Sequence, residues 1–195
     1  MAQPARDVFT EQEYLAMERE SPVKHELIGG RIYEMSGASM VHNLLKDNIA
    51  QALREALRGR PCVVLTSDQR VHIPATGLYT YPDVVVLCGR PERHRLDEDT
   101  LLNPVLLVEV LSPSTEAYDR GAKASHYRSL PSLAEYLLVS QSEQRVEHYR
   151  RVEEGRWLLS EAVGEGGVLT LPVLSCELAL RAVYENLELV QGTAG

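Results

Sequence analysis

The hydrophobic positions of this chain follow two different spacings, and the helical spacing marks several segments. In residues 39–57 apolar side chains recur every three or four positions, which predicts a long amphipathic helix. Thr10, with Glu13 three residues later, forms a capping-box pattern that predicts a helix over residues 10–19. Two further helices are predicted, over residues 115–130 and 179–190.

The other spacing predicts strands. Apolar-polar runs on both sides of Gly29-Gly30 predict a β-hairpin. The continuous apolar runs YPDVVVLCG and PVLLVEVLS predict central strands that are covered on both faces, and the charged link between them, RPERHRLDEDT, is interpreted as a loop. Further strands are expected in CVVLT, RVHI, LAEYLLVS, RVEHYRR and RWLLSE. Together these elements predict a mixed α/β (α+β) sheet flanked by helices.

Length and composition indicate one globular domain. The chain has 195 residues, of which 44% are hydrophobic and 25% are charged. The formal net charge of −8 disfavours tight nonspecific adsorption to nucleic acid, because phosphate binding needs clustered Lys and Arg. It permits a local basic groove, or an acidic pocket that holds a cation.

The cysteines and the N-terminus predict a cellular location. Cys62, Cys88 and Cys176 are odd in number and widely spread, so we interpret them as reduced residues of a cytoplasmic protein. The N-terminal stretch has no apolar signal region, and no apolar run approaches the roughly 20 residues of a membrane span. We therefore expect a soluble, cytoplasmic protein with no membrane partner.

Glu109 places a carboxylate inside an apolar run. An ionised carboxylate in a buried strand costs several kcal/mol unless it is paired, hydrogen-bonded or metal-bound. Asp83 heads the other run, where an ordinary strand-end role is the alternative. If the two strands are antiparallel neighbours, both acids lie at one edge of the sheet, where a hard cation such as Mg²⁺ fits between them. For Glu109 the alternatives are a buried salt bridge or a strand that reaches solvent.

Lys123 lies on the helix predicted after the second run, and it has two interpretations. Asp119 stands one turn earlier, so the two can form an exposed ion pair worth a few tenths of a kcal/mol. Alternatively, the ammonium folds back over the acid pair, where it orients a water or stabilises charge on a phosphate. From these residues alone the exposed ion pair is favoured.

Three stretches carry a resemblance to a known family. YPDVVVLCG, NPVLLVEVLSPSTEAYDRGAKASHYRSLPSLAEYLLV and RVEHYRR resemble a bacterial family, abundant in cyanobacteria, of restriction-endonuclease-like proteins in the PD-(D/E)xK nuclease superfamily. The resemblance runs from about Phe9 to Leu187 and is densest between Tyr81 and Arg151. It implies a restriction-endonuclease-like mixed sheet flanked by helices, in a single nuclease-like domain over residues 1–195 with its core at about 9–187.

The resemblance also implies roles for individual residues. Asp83 and Glu109 match the two acids of the superfamily motif and would bind Mg²⁺, for which Mn²⁺ is a possible substitute. The motif's lysine stands two residues after the second acid, where this chain has Leu111 instead. Lys123 matches the lysine that this family carries on the following helix.

Two further residues match the family near its site. Glu26 matches a family acid and His42 a family histidine. Without the resemblance, Glu26 is more typical of a solvated strand residue, and His42 with Lys46 of a pair on a helix face. Gln69 is a weaker candidate that would contribute a polar atom to the site.

These observations lead to two functional hypotheses. The first is an Mg²⁺-dependent endonuclease that hydrolyses phosphodiester bonds in DNA, with Asp83 and Glu109 holding the metal and Lys123 assisting. The second is a catalytically silent nuclease-fold module for binding or assembly, motivated by the acidic balance and the displaced lysine. A homodimer is expected for cutting two strands, and the strand series Leu133–Glu161 is the candidate surface. No phosphate loop or serine-nucleophile elbow is present in the sequence, which disfavours nucleotide-driven chemistry and serine hydrolysis.

Overall fold

A computed structural model describes residues 8–190, with every side chain among them except that of residue 154. The outermost residues of the expected domain, 1–7 and 191–195, lie outside the described part. Five α-helical segments are present there: α1 (Glu11–Glu20), α2 (Met40–Ala56), α3 (Glu116–Tyr118), α4 (Ala124–Arg128) and α5 (Leu180–Val183). A π-helical turn, Asp119–Lys123, joins α3 to α4. Short 3-10 segments occupy Glu153–Gly155 and Leu187–Leu189.

The strands form three sheets. The first seven are β1 (His25–Ile28), β2 (Arg31–Glu34), β3 (Cys62–Thr66), β4 (Arg70–Ile73), β5 (Leu78–Thr80), β6 (Val84–Cys88) and β7 (Arg93–His94). The others are β8 (Asp97–Leu101), β9 (Leu106–Val110), β10 (Glu135–Val139), β11 (Arg145–Arg151), β12 (Trp157–Val163), β13 (Val168–Leu171) and β14 (Cys176–Ala179). The first sheet has the order β2-β1-β5-β4-β8-β7, the second β12-β11-β10-β9-β6-β3, and β13 pairs with β14. This confirms the predicted mixed architecture.

The second sheet is covered on both faces, as its apolar strands predict. On one face Val108 and Val110 of β9 pack in a core with Leu45 and Ile49 of α2. On the other face Leu107 packs in a core that also contains residues of α4 and of the first sheet. Because side chains alternate along a strand, Glu109 lies on the same face as Leu107. That face is covered by the helical segment that carries Lys123.

Strand pairing brings the two predicted acids together. β6 and β9 are antiparallel, with Val84 opposite Val108, so continuing this register places Asp83 opposite Glu109. β9 and β10 are parallel, and all five residues of each are buried. The two acids therefore mark the edge where the start of β6 meets the end of β9.

The helix starts follow local sequence signals. Thr10 caps α1 and forms the predicted capping box with Glu13. Ser39 caps α2 by accepting a hydrogen bond from the backbone of His42. Gly29 and Gly30 adopt positive φ angles of 56° and 80° between β1 and β2, which is the conformation that a tight two-residue hairpin requires. These elements agree with the sequence-based expectation.

The charged link RPERHRLDEDT is not a loop throughout, and that interpretation was wrong. It contains β7 and most of β8, which pair with each other at the edge of the first sheet. The charge in β8 is accommodated because Asp97 is buried against Arg70 of β4 and accepts a hydrogen bond from Thr100. Paired charges can enter a sheet that unpaired charges would disrupt.

The predicted terminal helix over residues 179–190 is only partly present. β14 extends through Ala179, and α5 covers Leu180–Val183 before a 3-10 turn at Leu187–Leu189. Asn186 adopts a left-handed conformation with φ of 59°, which interrupts a continuous helix. No helix among residues 8–190 combines the length and apolarity needed to cross a membrane.

The interpretation of all three cysteines as reduced is wrong for two of them. Cys62 and Cys88 form a disulfide between β3 and β6, whereas Cys176 is free. The two partners are 26 residues apart in sequence but are directly opposite each other in the antiparallel register. Their separation along the chain gave no sign of this pairing.

Candidate active site

Glu109 is the centre of a buried polar cluster. It is 5% exposed, and its Oε1 lies 3.0 Å from the Nζ of Lys123. The hydroxyl of Tyr127, one turn after Lys123, donates a hydrogen bond of 2.6 Å to the same oxygen. Both contacts involve Oε1, so neither of them prevents Oε2 of Glu109 from binding another ligand.

Asp83 is held beside Glu109 through both of its carboxylate oxygens. Its Oδ2 accepts a 2.8 Å hydrogen bond from the backbone N–H of Val110, the residue after Glu109. Its Oδ1 lies 2.8 Å from Nε2 of His42. Each carboxylate oxygen has a second lone pair, so both oxygens can still accept a cation. The ordinary strand-end interpretation does not account for these contacts.

His42 reaches Asp83 from the first turn of α2. Its other ring nitrogen, Nδ1, lies 3.4 Å from the amide nitrogen of Gln141, which also donates a 2.7 Å bond to the carbonyl of Leu111. When the amide N–H of Gln141 donates to Nδ1, Nε2 is the ring nitrogen that donates to Asp83. This arrangement orients the carboxylate.

Lys123 lies in the π-helical turn and is surrounded by acids. Its Nζ is 3.3 Å from Oδ1 of Asp119 and 3.4 Å from Oε1 of Glu26, in addition to the contact with Glu109. The ion pair of Asp119 with Lys123 exists, but the interpretation of it as exposed is wrong, since the two residues are 2% and 5% exposed. π-helical turns widen the helix and are frequent at functional sites.

Glu26 joins the cluster from β1 of the first sheet. It is buried, and Thr80 and Tyr118 donate hydrogen bonds to its two oxygens. Together with the ion pair to Lys123, these contacts exclude a solvated strand residue. The site is therefore built from both large sheets and from the helical segment between β9 and β10.

Gln69 does not join the cluster. Its side-chain amide donates to the backbone carbonyls of Arg70 and Asp99 at 2.8 and 2.7 Å. These bonds connect the start of β4 with β8 in the first sheet. The structure thus uses Gln69 to link two strands.

A cleft of about 860 Å³ opens onto the cluster. Its rim includes the segment from Met35 to Ser39 before α2, and the segment from Ser112 to Thr115 after β9. The acidic side chains that line it are Glu26, Glu34, Asp68, Asp83, Glu109 and Asp119, and the lysines are Lys24, Lys46 and Lys123. Lys24 is paired with Asp68 at 2.9 Å. The cleft therefore carries more negative than positive charge.

Comparison with known proteins identifies the family. Residues 11–183 match the family model Uma2, described as "Putative restriction endonuclease". A protein of Synechocystis sp., the uncharacterized protein sll1609, is 39% identical over 158 residues, which cover 81% of this chain and 89% of that protein. The chain belongs to the Uma2 family.

A second relative and a solved structure extend the comparison. The uncharacterized protein slr1290 of Synechocystis sp. is 36% identical to this Uma2-family chain, over 90% of the chain and 91% of the relative. A crystal structure titled as a putative nuclease belonging to DUF820 from Anabaena variabilis superposes with a TM-score of 0.72 and 18% identity. It covers 90% of this chain and 97% of that one, and it shows the same fold.

The protonation of the cluster in this Uma2-family protein follows from its burial. Burial raises the pKa of Glu109 to about 8, and the charges of Asp119 and Asp83 add to the shift. Burial alone would lower the pKa of Lys123, but the charge of Glu109 and the other neighbouring acids raises it well above its usual value. Lys123 therefore stays a cation at neutral pH, and Glu109 binds a proton more readily than an exposed glutamate does.

The donor set of the cluster fits a hard divalent cation. Carboxylate oxygens are the preferred protein ligands of Mg²⁺, which also keeps several waters. Asp83 and Glu109 each offer oxygen lone pairs on one side of the cleft. Asp119 Oδ1 is buried 3.3 Å from the ammonium of Lys123 and has no hydrogen-bond partner among the described residues. In this Uma2-family chain the acids outnumber the cations that could neutralise them.

Sequence reasoning did not assign several members of the Uma2 site. Asp119 was predicted only as the exposed partner of Lys123, Tyr127 was not predicted to bond to Glu109, and nothing was predicted for Tyr118, Thr80 and Gln141. A signal was present for Tyr127, because a tyrosine one turn beyond a lysine on a buried helix face usually needs a polar partner. Nothing local marks Thr80 and Gln141, since both act across long sequence separations.

Proposed function

We propose that this protein is an Mg²⁺-dependent endonuclease that hydrolyses phosphodiester bonds in DNA. The observation that carries the proposal is the excess of carboxylates around Lys123. Glu26, Glu109 and Asp119 each contact the ammonium group of Lys123, and Asp83 lies beside Glu109, bonded to the backbone of Val110. Buried carboxylates need compensating positive charge, and a divalent cation supplies it. The membership of the Uma2 family supports a nuclease.

In this proposal Asp83 and Glu109 hold the metal ion. A bound Mg²⁺ lowers the pKa of water and neutralises charge on a phosphate. The chain's own contribution is orientation, since His42 and the backbone of Val110 hold Asp83, and Tyr127 holds Glu109. Preorganised ligands avoid the cost of rearrangement during the reaction.

Lys123 acts as a fixed positive charge. Its raised pKa keeps it protonated, so it is not the base that removes a proton from the attacking water. Its ammonium would donate a hydrogen bond to a phosphate oxygen or to the attacking water. The lysine of the superfamily motif would thus be replaced in function by one that reaches the same carboxylate from the following helix.

The charge of the cleft makes cation binding a condition for DNA binding. A phosphate entering the metal-free cleft would meet six acidic side chains and three lysines. Electrostatic repulsion falls when a divalent cation is present, because the cation offsets two of the negative charges. DNA affinity should therefore depend on Mg²⁺ or Mn²⁺ even in a variant that does not cleave.

The test is a cleavage assay on plasmid and branched DNA with Mg²⁺ or Mn²⁺, for the unmodified protein and the variants Asp83→Asn and Glu109→Gln. We expect both variants to lose cleavage by a factor of at least about 100, because the metal site is incomplete. Glu135→Gln is the matched control, since Glu135 is a fully buried acid on the neighbouring strand that does not line the cleft. Undiminished cleavage by both site variants would contradict the proposed mechanism.

A catalytically silent module is the second candidate. The observation in its favour is the full engagement of Lys123 by three acids, together with an apolar Leu111 at the superfamily's lysine position. Calorimetry with Mg²⁺ or Mn²⁺ separates the two candidates. Metal binding that Glu109→Gln abolishes favours the nuclease, and absence of any metal binding favours the silent module.

We propose a homodimer that pairs along β12. Within the expected surface Leu133–Glu161, β10 is buried throughout, whereas β12 is the outer strand of its sheet. Leu158 and Leu159 of β12 are each 49% exposed. An outer strand with exposed apolar side chains is suited to pairing with another strand. Light scattering should give a dimer for the unmodified protein and a monomer for Leu159→Lys, and a monomer for both would contradict this interface.

We propose a cytoplasmic location, because the DNA of a bacterial cell lies there. The Cys62–Cys88 disulfide argues in the other direction, since such bonds are rare in a reducing cytosol. Cell fractionation decides the location. Recovery of the protein in the cytoplasmic fraction supports the proposal, and recovery outside that fraction contradicts it.

A further inference from the structure

A second cluster of polar side chains lies outside the cleft and has no part in the proposed nuclease chemistry. Glu11 is the first residue of α1, His72 lies in β4 and His94 in β7. One donor atom of each lies within 4.8 Å of the others. We propose that these three residues form a binding site for a transition-metal ion of the Zn²⁺ class.

The donor set is that of a borderline-soft cation. Two imidazole nitrogens and one carboxylate oxygen form a common three-residue ligand set for Zn²⁺, whereas Mg²⁺ and Ca²⁺ prefer oxygen ligands. Nε2 of His94 lies 3.0 Å from Oε1 of Glu11, and Nε2 of His72 lies 4.0 Å from the same oxygen. Ligand atoms about 2.0 Å from a tetrahedral metal are roughly 3.3 Å apart, so the observed spacings bracket the geometry that the ion needs.

An unpartnered nitrogen provides a second, independent observation. The side chain of His72 is 8% exposed, and its Nδ1 is buried with no hydrogen-bond partner among the described residues. The ring stacks on Tyr79 at 4.0 Å and meets the ring of His94 edge-on at 5.1 Å. A buried ring nitrogen without a hydrogen-bond partner is costly, so hydrogen bonding at Nδ1 does not explain why this ring is held beside Glu11 and His94.

The surroundings allow an ion to enter and hold the ligands in place. The side chain of Glu11 is 30% exposed, whereas both histidines are 8% exposed, so the site opens to solvent on the side of α1. Tyr79 donates a hydrogen bond to Glu11, and its hydroxyl is 3.4 Å from Nε2 of His94. Arg95 lies 3.7 Å from the other oxygen of Glu11.

Without a metal, Nε2 of His94 faces Oε1 of Glu11 and lies near the hydroxyl of Tyr79. A metal ion at the site would take the place of these contacts. The backbone N–H of Leu96 lies 3.3 Å from Nδ1 of His94, which places the ring proton on Nε2, facing Glu11. Binding of the ion therefore displaces that proton, and the affinity should fall as the solution becomes more acidic. The alternative that the test must exclude is a cluster held by hydrogen bonds alone.

The consequence of the site is structural. The ion would join the start of α1 to two strands of the first sheet, one of them the edge strand β7. The same sheet supplies Glu26 to the cleft through β1. Zinc binding would thus fix α1 and the β7–β8 pair without supplying any group to the cleft, and it does not depend on nuclease activity.

The experiment is a titration of the chelator-stripped, full-length protein with Zn²⁺ alone, followed by calorimetry and thermal unfolding. We expect one Zn²⁺ ion per chain at this cluster and a higher Tm. Co²⁺ in the same position should give the intense visible absorption of a four-coordinate nitrogen-containing site. Glu11→Gln and His94→Gln should each weaken Zn²⁺ binding at least about tenfold.

Matched controls locate the ion. Glu20→Gln removes an exposed acid at the other end of α1, and His148→Gln removes a buried histidine of the second sheet, so neither should change Zn²⁺ affinity. Glu109→Gln should also leave it unchanged, since Glu109 belongs to the cleft. Absence of Zn²⁺ binding would overturn the proposal. Binding that survives in Glu11→Gln and His94→Gln, or that Glu109→Gln abolishes, would overturn it as well.

Discussion

The two polar clusters of this protein differ in their chemistry. The cleft cluster consists of carboxylates around one lysine, with tyrosine hydroxyls as supporting donors. The cluster of Glu11, His72 and His94 contains two imidazoles and one carboxylate, and no lysine. The first is suited to a hard cation with oxygen ligands, and the second to a cation that accepts nitrogen.

The clusters also differ in how completely they are neutralised. In the cleft, three acids share the single ammonium of Lys123, and Asp119 Oδ1 has no hydrogen-bond partner among the described residues. In the second cluster, two imidazoles, those of His72 and His94, face a single carboxylate. We therefore expect a cation in the cleft to contribute to charge balance, and a cation in the second cluster to coordinate imidazole nitrogens. Removing one residue from each should reveal this difference.

The largest expected effect is the loss of Lys123. Replacing it with Met removes the only ammonium group that contacts Glu26, Glu109 and Asp119 among the described residues. Uncompensated buried carboxylates should lower the free energy of unfolding by about 3–5 kcal/mol and abolish cleavage. Urea denaturation in EDTA measures the loss, and Mg²⁺ should restore part of it because the metal replaces the missing charge.

Lys46→Met is the control for that prediction. Lys46 also lines the cleft, but its ion pair is with Asp47 at 3.8 Å, and the side chain of Asp47 is 71% exposed. Such a pair contributes about 1 kcal/mol or less. Equal destabilisation by the two variants would show that Lys123 does not neutralise buried acids. Loss of stability in Lys123→Met that Mg²⁺ does not reduce would argue against a cation at Glu109.

The second prediction uses the opposite pKa shifts of the two clusters. Burial raises the pKa of Glu109 to about 8, whereas burial, with the neighbouring charge of His94, lowers the pKa of His72 to about 4. Above pH 4.5 an unfolded glutamate ionises while Glu109 stays protonated, so metal-free stability falls as the pH rises toward 8. For His72 the unfolded residue gains a proton below pH 6.5 and the folded one does not, so stability falls as the pH drops toward 4.

Urea denaturation between pH 5 and 8 in EDTA separates the two effects. Each proton that differs between the folded and unfolded states changes the free energy of unfolding by up to about 1.4 kcal/mol per pH unit. Relative to the unmodified protein, Glu109→Gln should gain stability as the pH rises, and His72→Gln as the pH falls below 6.5. If the free energies of unfolding of Glu109→Gln and His72→Gln changed with pH in the same way, the two clusters would not differ in charge balance.

The sequence predicted the cleft cluster far better than the second one. A carboxylate inside VLLVEVL is conspicuous, and the antiparallel pairing that brings Asp83 to Glu109 follows from two apolar runs. Only the resemblance placed Lys123 at the site, because the local sequence favoured an exposed ion pair with Asp119. In the structure this pair is buried, since the helical segment that carries both residues covers the strand of Glu109.

The second cluster could not be predicted from local patterns. Glu11 looks like an ordinary first-turn acid of a helix, and His72 like one polar residue in the strand RVHI. His94 lies in the charged link that was interpreted as a loop, where no strand was expected. The three residues meet only because β7 and β4 belong to one sheet and α1 packs on it. Such long-range packing leaves no periodic signal in the sequence.

The smallest loss of stability is expected from removing the caps of α1 and α2. The first turn of α1 carries Glu11 of the second cluster, and the first turn of α2 carries His42 of the cleft. Thr10 caps α1 immediately before Glu11, and Ser39 caps α2 three residues before His42. Replacing either cap with Ala should cost about 0.5–2 kcal/mol of stability, because a backbone N–H loses its acceptor. The functional effects should differ: Ser39→Ala should reduce cleavage, and Thr10→Ala should reduce Zn²⁺ affinity.

Measuring both cleavage and Zn²⁺ binding for each cap variant tests whether the two clusters are independent. Cleavage by Thr10→Ala and Zn²⁺ binding by Ser39→Ala should both remain within about twofold of the unmodified protein, because each cap acts only on its own helix start. The Asp83–His42 contact explains why Ser39 matters for cleavage, since a loosened α2 start releases Asp83 Oδ1. If both variants impaired both activities equally, the two clusters would be one coupled unit rather than two separate sites.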